Sequence, residues 1–243
     1  MPEPSSMTFW EHLEEFRKVL LISLGAVFIF AVLSFLYADK ILEFLTNPIR
    51  SEIDRFYFFS PAEAFLLKVK AACFAGLVFA SPVVCWQVWS FLSPGLYEKE
   101  RKKVLPWVLV SSFLFVGGVS FSFFWVLPFA LKFLVGMQSE WLRPMVSLTE
   151  YVHFLSSFLL AFGVAFNLPV AMVGMVLLGV VKIETLRRFR KHAVVVLFIA
   201  ASILTPGPDI FSQLMLAVPL VLLFEAGLLT ARVLRRMRGE KKQ

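Results

Sequence analysis

The stretch Val19–Tyr37 reads VLLISLGAVFIFAVLSFLY and contains no charged residue. A helix of about 20 apolar residues is long enough to cross the hydrocarbon core of a bilayer. The stretch is longer than the apolar part of a secretory signal peptide, which is about 7–15 residues, and acidic side chains precede it where such a peptide is basic. We therefore expect Val19–Tyr37 to be retained as a membrane helix.

The same pattern recurs along the chain. We predict six transmembrane helices, over residues 19–37, 71–91, 104–131, 152–181, 193–204 and 210–231. The fifth run would rise only about 18 Å as a helix, which is less than the bilayer core of about 30 Å. A crossing there requires flanking residues or a locally thinned membrane. The last two runs form a helical hairpin around Thr205–Asp209.

The composition agrees with a membrane protein. Of the 243 residues, 59% are hydrophobic and 17% are charged, whereas a soluble domain has about 25% charged residues. These values exclude an ordinary soluble enzyme, and the apolar excess excludes a disordered chain. We expect an all-α polytopic membrane protein in which residues 1–243 form a single integral membrane domain. Cys73 and Cys85 lie in one apolar run, a pattern typical of packing residues.

The basic residues predict the orientation. Most of the 24 lysines and arginines precede the first predicted helix, fill the loops after the second and fourth, or follow the sixth. By the positive-inside rule, both termini are cytoplasmic. The net charge of +7 then reflects orientation, and we expect no nucleic-acid partner.

The chain carries no arrangement of side chains typical of an enzyme. Serine-hydrolase, zinc-protease and phosphate-loop motifs are absent from the sequence. His12, His153 and His192 lie on different predicted elements and lack the spacing of metal ligands. Glu225 is the one carboxylate clearly inside an apolar run, so no intramembrane acid pair is formed. We expect no catalytic activity, no cofactor and no metal.

Carboxylates stand among positive charges on the cytoplasmic side. One group is EHLEEFRK at residues 11–18, and the other follows the second helix within residues 86–103. From the residues alone, two interpretations remain. The acids complement helix dipoles or pair with Arg17 and Arg101, or they form a receptor for cationic groups. A carboxylate can accept two parallel hydrogen bonds from a guanidinium, which lysine cannot reproduce.

Six motifs stand in a fixed order along the chain. They are His12-Leu13-x-Glu15-x-Arg17, Ser60-Pro61-x-Glu63, Ser81-Pro82-Val83-x-x-x-Gln87-x-Trp89-x-Phe91-x-x-Pro94-x-Leu96-Tyr97-x-x-Glu100-Arg101, Leu127-Pro128-x-Ala130-x-x-Phe133-Leu134, Ala161-Phe162-Gly163-Val164-Ala165-Phe166 and Thr205-Pro206-x-Pro208-Asp209-x-x-Ser212-Gln213. In this order and at these intervals, the sequence resembles the TatC family, the signal-receptor subunit of the twin-arginine protein translocase. The resemblance extends from about His12 to Arg232.

The resemblance implies a fold and a function. It implies six helices with both termini inside, arranged as a curved, cup-like wall with short fifth and sixth helices. It also implies a core receptor subunit of the bacterial cytoplasmic (inner) membrane, which binds twin-arginine signal peptides at its cytoplasmic face. With TatA- and TatB-type single-helix partners, such a protein transports folded cargo using the proton-motive force. Self-association in the receptor complex and direct contact with the lipid bilayer are also implied.

The resemblance further implies the residues of a signal-peptide site. Glu15 and Glu100 match the two carboxylates that receive the arginine pair. Arg17, Phe91 and Tyr97 match residues that line the same cytoplasmic surface.

Four other positions match family sites away from that surface. Pro48 matches a sensitive position on the far side of the membrane, opposite the termini. Asp209 and Gln213 match polar positions at the last hairpin, where small partner helices dock. Asn167 stands where many relatives have a glutamate. Because asparagine forms hydrogen bonds but carries no charge, we expect no charged role for this position.

Two other functions are alternatives. A small-molecule or ion transporter would need a polar pathway through the membrane midplane, commonly with interrupted helices in both halves of the chain. The apolar runs contain too few ionisable groups for such a pathway. A membrane-embedded enzyme would need the paired reactive groups that the sequence lacks.

Overall fold

The structure, a computed structural model, describes residues 9–50, 56–57, 60–92, 104–136, 146–177, 179–204 and 210–237. Within these ranges nearly every residue is helical, and the only β pairing is an isolated bridge between Tyr57 and Ser147. The predicted all-α class is therefore confirmed. Pro48, Asn167 and Gln213 fall within the described ranges, as do Glu15, Arg17 and Phe91. Glu100, Tyr97 and Asp209 lie outside the described residues.

The described residues form ten α-helices. They are α1 (Phe9–Phe35), α2 (Ala38–Thr46), α3 (Pro61–Leu92), α4 (Val104–Phe121), α5 (Leu127–Gly136), α6 (Leu148–Ala165), α7 (Leu168–Leu177), α8 (Ile183–Arg188), α9 (Arg190–Leu204) and α10 (Ile210–Met237). A 3₁₀ turn, Asn47–Ile49, follows α2. A π-helical segment, Ser122–Val126, joins α4 to α5.

Five helical stretches of the described chain are long and apolar enough to cross a membrane. These candidate spans are Trp10–Phe35, Ala62–Phe91, Leu105–Phe133, Leu148–Leu177 and Gln213–Arg235. The protein is therefore a multi-pass membrane protein. The predicted count of six is not confirmed, since α9 has only 15 residues and rises about 22 Å. It begins at Arg190, so it already includes three polar residues that precede the apolar run.

Helices extend beyond the apolar runs that predicted them. Helix α1 begins at Phe9 and α3 at Pro61, so both begin before the predicted runs at residues 19 and 71. Proline is well suited to the first position of α3, since the N–H that it lacks would have no helical partner there. The predicted run 152–181 is divided at the turn Phe166–Asn167, where Pro169 cannot donate a helical hydrogen bond.

The helices in closest contact form a row of neighbours. Helix α1 packs on α3, α3 on α4, α4 on α6, α7 on α10 and α10 on α9. This order describes a wall with α1 near one end and α9 near the other, which agrees with the wall that the resemblance implied. The α1–α3 contact is close, since a Cβ at Gly76 would lie only 2.5 Å from the backbone nitrogen of Ala31. Small residues permit such approaches between membrane helices.

The main core lies where α3, the π segment, α6 and α10 meet. Its most buried large side chains include Phe158, Phe162, Leu155, Leu127 and Leu216. Many other large apolar side chains are exposed along the outer faces of the wall. Such an apolar exterior matches a surface that lipid covers.

Candidate functional site

The first turns of α1 pack against the last turn of α3. The His12 ring stacks on Phe91 with the ring centroids 4.4 Å apart, and Phe16 meets Phe91 edge-to-face at 5.8 Å. The spacing of four residues places His12 and Phe16 on one face of α1. Phe91 is the residue before the last of α3. Three aromatic rings therefore form a small cluster at this end of the wall.

Glu15 lies beside this cluster on α1. Its side chain is partly buried, and the Oε2 oxygen is buried without a hydrogen-bond partner among the described residues. A buried carboxylate oxygen that lacks a donor is energetically costly. The position therefore has one carboxylate acceptor without a donor among the described residues.

Among the described residues, the ion pair found on α1 does not involve Glu15. Lys18 lies 3.8 Å from Glu14, and both side chains are exposed. Arg17 is exposed, and within the described chain no ion pair joins it to Glu15. Pairing with Arg17, one of the two interpretations from the residues alone, is therefore not seen for Glu15. Its meeting with Glu100, and the placement of Tyr97 beside it, stay predictions because residues 93–103 lie outside the described ranges.

The packing of α3 on α4 positions the part of α3 that carries Phe91. Trp89 lies two residues before Phe91. It donates its indole N–H to the Ser111 hydroxyl of α4 at 2.8 Å. Both side chains are buried, and the Trp107 ring packs against Trp89 at 5.1 Å. The end of α3 is thus fixed to the start of α4. Residues 93–103, which include the predicted site residues Tyr97 and Glu100, connect these two ends in the sequence.

Asn167 lies at the turn between α6 and α7. Its amide nitrogen donates to the Gly163 carbonyl at 3.1 Å, while its Oδ1 is buried without a partner among the described residues. Helix α4 passes close by, since a Cβ at Gly118 would meet the Phe162 carbonyl oxygen and the Phe166 ring below 3 Å. The asparagine therefore binds its own helix end and keeps one free acceptor.

Gln213 and Pro48 lie in two other parts of the fold, the α9–α10 hairpin and the turn after α2. The Gln213 amide donates to the Phe198 carbonyl of α9 at 3.1 Å, which holds the hairpin of α9 and α10 together. Pro48 lies half-buried in the 3₁₀ turn after α2. The Tyr151 hydroxyl anchors this region to α6 by donating to the Leu45 carbonyl at 2.9 Å. A docking role for Gln213, like that of Asp209, stays a prediction.

Sequence reasoning missed two ion pairs. Arg190 at the start of α9 lies 2.5 Å from Glu225 of α10, with both side chains partly exposed. Arg235 lies 3.0 Å from Glu184. Backbone hydrogen bonding at the start of α8, followed by the Arg235 guanidinium, lowers the pKa of Glu184. Antiparallel helices with an arginine and a glutamate at matching depths were the available signal for the first pair.

Among the described residues, no three histidine, cysteine or acidic side chains are grouped so that they could hold a metal ion. The three histidines are apart, with His12 on Phe91, His153 beside Ser157 and His192 beside Phe189.

Comparison with known proteins gives one family. Residues 11–219 match the family model described as Sec-independent protein translocase protein (TatC). The TatC protein of Carboxydothermus hydrogenoformans is 39% identical over 242 residues, covering 99% of this chain and 100% of that protein. The TatC protein of Aquifex aeolicus is 34% identical over 238 residues, covering 96% and 98%.

A solved structure agrees with the sequence matches. The crystal structure described as the twin arginine translocase receptor TatC superposes with a TM-score of 0.83 at 34% identity, covering 92% of this chain and 99% of that one. The family comprises protein translocase components and is not a family of known enzymes. The chain belongs to the TatC family of Sec-independent protein translocase proteins.

Proposed function

We propose that this protein is the receptor subunit of the twin-arginine translocation system. It binds twin-arginine signal peptides where the start of α1 meets the end of α3. The observation that carries the proposal is the Glu15 carboxylate, with one buried oxygen lacking a donor, beside the ring cluster of His12, Phe16 and Phe91. An arginine satisfies both features, because its guanidinium binds carboxylates through two hydrogen bonds and stacks on aromatic rings.

The second arginine is assigned to Glu100. This residue lies in the connection between α3 and α4, whose described ends are held together by the bond from Trp89 to Ser111. We infer that a connection between these two ends can bring Glu100 to the Phe91 surface. Tyr97, in the same connection, would supply a further aromatic ring. Arg17 would repel cationic peptides, so that only peptides whose arginines reach the two acids would bind.

The complete function involves partners. We assign TatA- and TatB-type single-helix subunits to the α9–α10 hairpin, near Gln213 and Asp209, and a second copy of the chain to the assembled receptor complex. Transport of the folded cargo is driven by the proton-motive force. The protein lies in the bacterial cytoplasmic membrane with both termini in the cytoplasm, an orientation that the distribution of lysines and arginines supports.

Binding of a photoreactive signal peptide tests the proposal. Glu15→Gln removes the charge but keeps the shape, and Glu14→Gln is its matched control because Glu14 is exposed and paired with Lys18. A charge-assisted hydrogen bond contributes about 1.5–3 kcal/mol. We therefore expect Glu15→Gln to weaken binding of the twin-arginine peptide about ten- to a hundredfold, and Glu14→Gln to leave it nearly unchanged.

A peptide in which two lysines replace the arginines completes the design. It should bind the unaltered protein weakly, and Glu15→Gln should lower that binding much less than it lowers arginine binding. Equal losses for both peptides, or equal losses from Glu14→Gln and Glu15→Gln, would show that Glu15 does not recognise guanidinium groups.

A further inference from the structure

An apolar groove of about 300 Å³ lies between α2, α3 and the π segment. Its walls include Phe74 and Val78 of α3 and Phe123 of the π segment. The rim residues Phe79 and Phe124 are 61% and 62% exposed, so the groove opens sideways onto the apolar exterior. The groove is separate from the Glu15 site and contains none of its residues.

The position of the groove along the helices indicates its depth in the membrane. Helix α2 connects the ends of the spans Trp10–Phe35 and Ala62–Phe91, so it lies at a membrane interface. The groove residues of α3, together with Val119 of α4, lie near the middle of their spans. The groove therefore runs from the interface to the bilayer midplane, which is the depth of one leaflet.

The interface end of the groove carries a single charge. Apart from Ser120, Lys40 is the one polar residue of the lining. It lies four residues before Phe44, so both side chains point from the same face of α2. Two neighbouring bases already have acidic partners, namely Lys68 with Asp39 at 2.8 Å and Arg50 with Glu43 at 3.5 Å.

Lys40 is different from these neighbours. Within the described chain, no carboxylate lies within 4.0 Å of its Nζ atom, which instead lies 6.0 Å from the centroid of the Tyr37 ring. An exposed ammonium group at a membrane interface is complementary to an anionic headgroup. The groove thus has an apolar channel and a cation at its interface end.

The π segment shapes the groove wall. A π-helical turn contains more residues than an α-helical turn, and such segments are frequent at functional sites. Here Phe123 is buried against Phe44 of α2, with the ring centroids 4.6 Å apart. Phe124, the next residue, meets Phe44 edge-to-face and stays exposed at the rim. The two rings close the inner wall and leave the outer side open.

We propose that this groove binds one acyl chain of a phospholipid from the leaflet that contains α2, with the headgroup phosphate at Lys40. The size of the groove supports this occupant. An α-helix with its side chains is about 10–12 Å wide, so a partner helix does not fit into about 300 Å³, whereas an acyl chain does. The lysine accounts for the polar end of the same molecule.

Photocrosslinking in nanodiscs tests the proposal with the full chain. The probe is a phosphatidylglycerol that carries a diazirine halfway along one acyl chain. We expect labelling to concentrate on Val78, Phe79 and Phe124, above the labelling of Phe113, which is 78% exposed on α4 outside the groove. A lysine near an anionic surface contributes about 1 kcal/mol, so Lys40→Gln should lower groove labelling about fivefold.

Two further variants distinguish lipid binding in the groove from nonspecific labelling of the protein surface. Lys132→Gln removes an exposed lysine of α5 that does not line the groove, and should leave labelling unchanged. Val78→Phe fills the channel and should abolish groove labelling while Phe113 is labelled as before. Labelling equal at the groove and at Phe113, and unaffected by Lys40→Gln, would overturn the proposal. So would protection of the groove by a co-purified helix or by a second copy of the chain.

Discussion

Gly76 allows α1 and α3 to approach closely, and a single methyl group there should separate them. A Cβ at this position would lie 2.5 Å from the nitrogen and 2.6 Å from the Cα of Ala31. These are backbone atoms, which cannot rotate away as a side chain can, and apolar atoms in contact normally lie about 3.5–4.0 Å apart. Gly76→Ala must therefore move the two helices apart by roughly 1 Å at the crossing.

The expected cost follows from overpacking. Inserting a group into a closely packed contact costs about 1–3 kcal/mol, and we expect Gly76→Ala to destabilise the protein by that amount. Gly25→Ala is the matched control, since a Cβ at Gly25 meets nothing within 4 Å. In the interior of helix α1 alanine is favoured over glycine by up to about 1 kcal/mol, so Gly25→Ala should be neutral or stabilising.

The measurement has two parts. Steric trapping in bicelles gives the free energy of unfolding of each variant, and crosslinking to a twin-arginine peptide gives binding. Because α1 carries Glu15 and α3 carries Phe91, a displaced α1 should also weaken peptide binding in Gly76→Ala but not in Gly25→Ala. Equal stability of the two variants would refute the packing argument. Lost stability with unchanged binding would refute the link between helix spacing and the site.

Two further predictions concern the rest of the wall. Glu225→Gln should destabilise the chain by about 1–2 kcal/mol, because it leaves Arg190, whose side chain is 40% exposed, without its carboxylate. A double-mutant cycle with Arg190→Gln, read by the same unfolding assay, should give a favourable coupling, and additive losses would argue against the pair. Tyr151→Phe should cost about 1 kcal/mol through the lost bond to the Leu45 carbonyl; hydrogen exchange should then rise in α2, and unchanged exchange would count against this anchor.

The helices were predictable because hydropathy reports the residues that contact lipid. The span Trp10–Phe35 contains all of Val19–Tyr37 except its last two residues. The break near Pro169 was not predicted, because the run 152–181 is apolar on both sides of it. The beginning of α1 was not predictable in this way, since Phe9–Lys18 is too polar to read as a membrane segment. The π segment was also missed, because no residue pattern distinguishes it from an ordinary turn of α4.

The site was predictable only in part. Resemblance to a family indicated Glu15 and Phe91, yet neither periodicity nor spacing indicated that His12 and Phe16 would close around the Phe91 ring. That arrangement depends on the tertiary packing of α1 on α3. The partner of Glu225 was missed although the hairpin was predicted, because its pairing with Arg190 also depends on how α9 and α10 are aligned along their lengths.

The central claim is that Glu15 and Glu100 lie close enough to hold two neighbouring arginines. Cysteines at these two positions, in a chain with Cys73→Ala and Cys85→Ala, test it with a short bifunctional thiol reagent. The reference pair replaces His12 and Phe91, whose rings are in contact. If the two acids meet, the 15–100 pair should crosslink in the membrane about as readily as the reference pair. A reference pair that crosslinks while the 15–100 pair does not would contradict it.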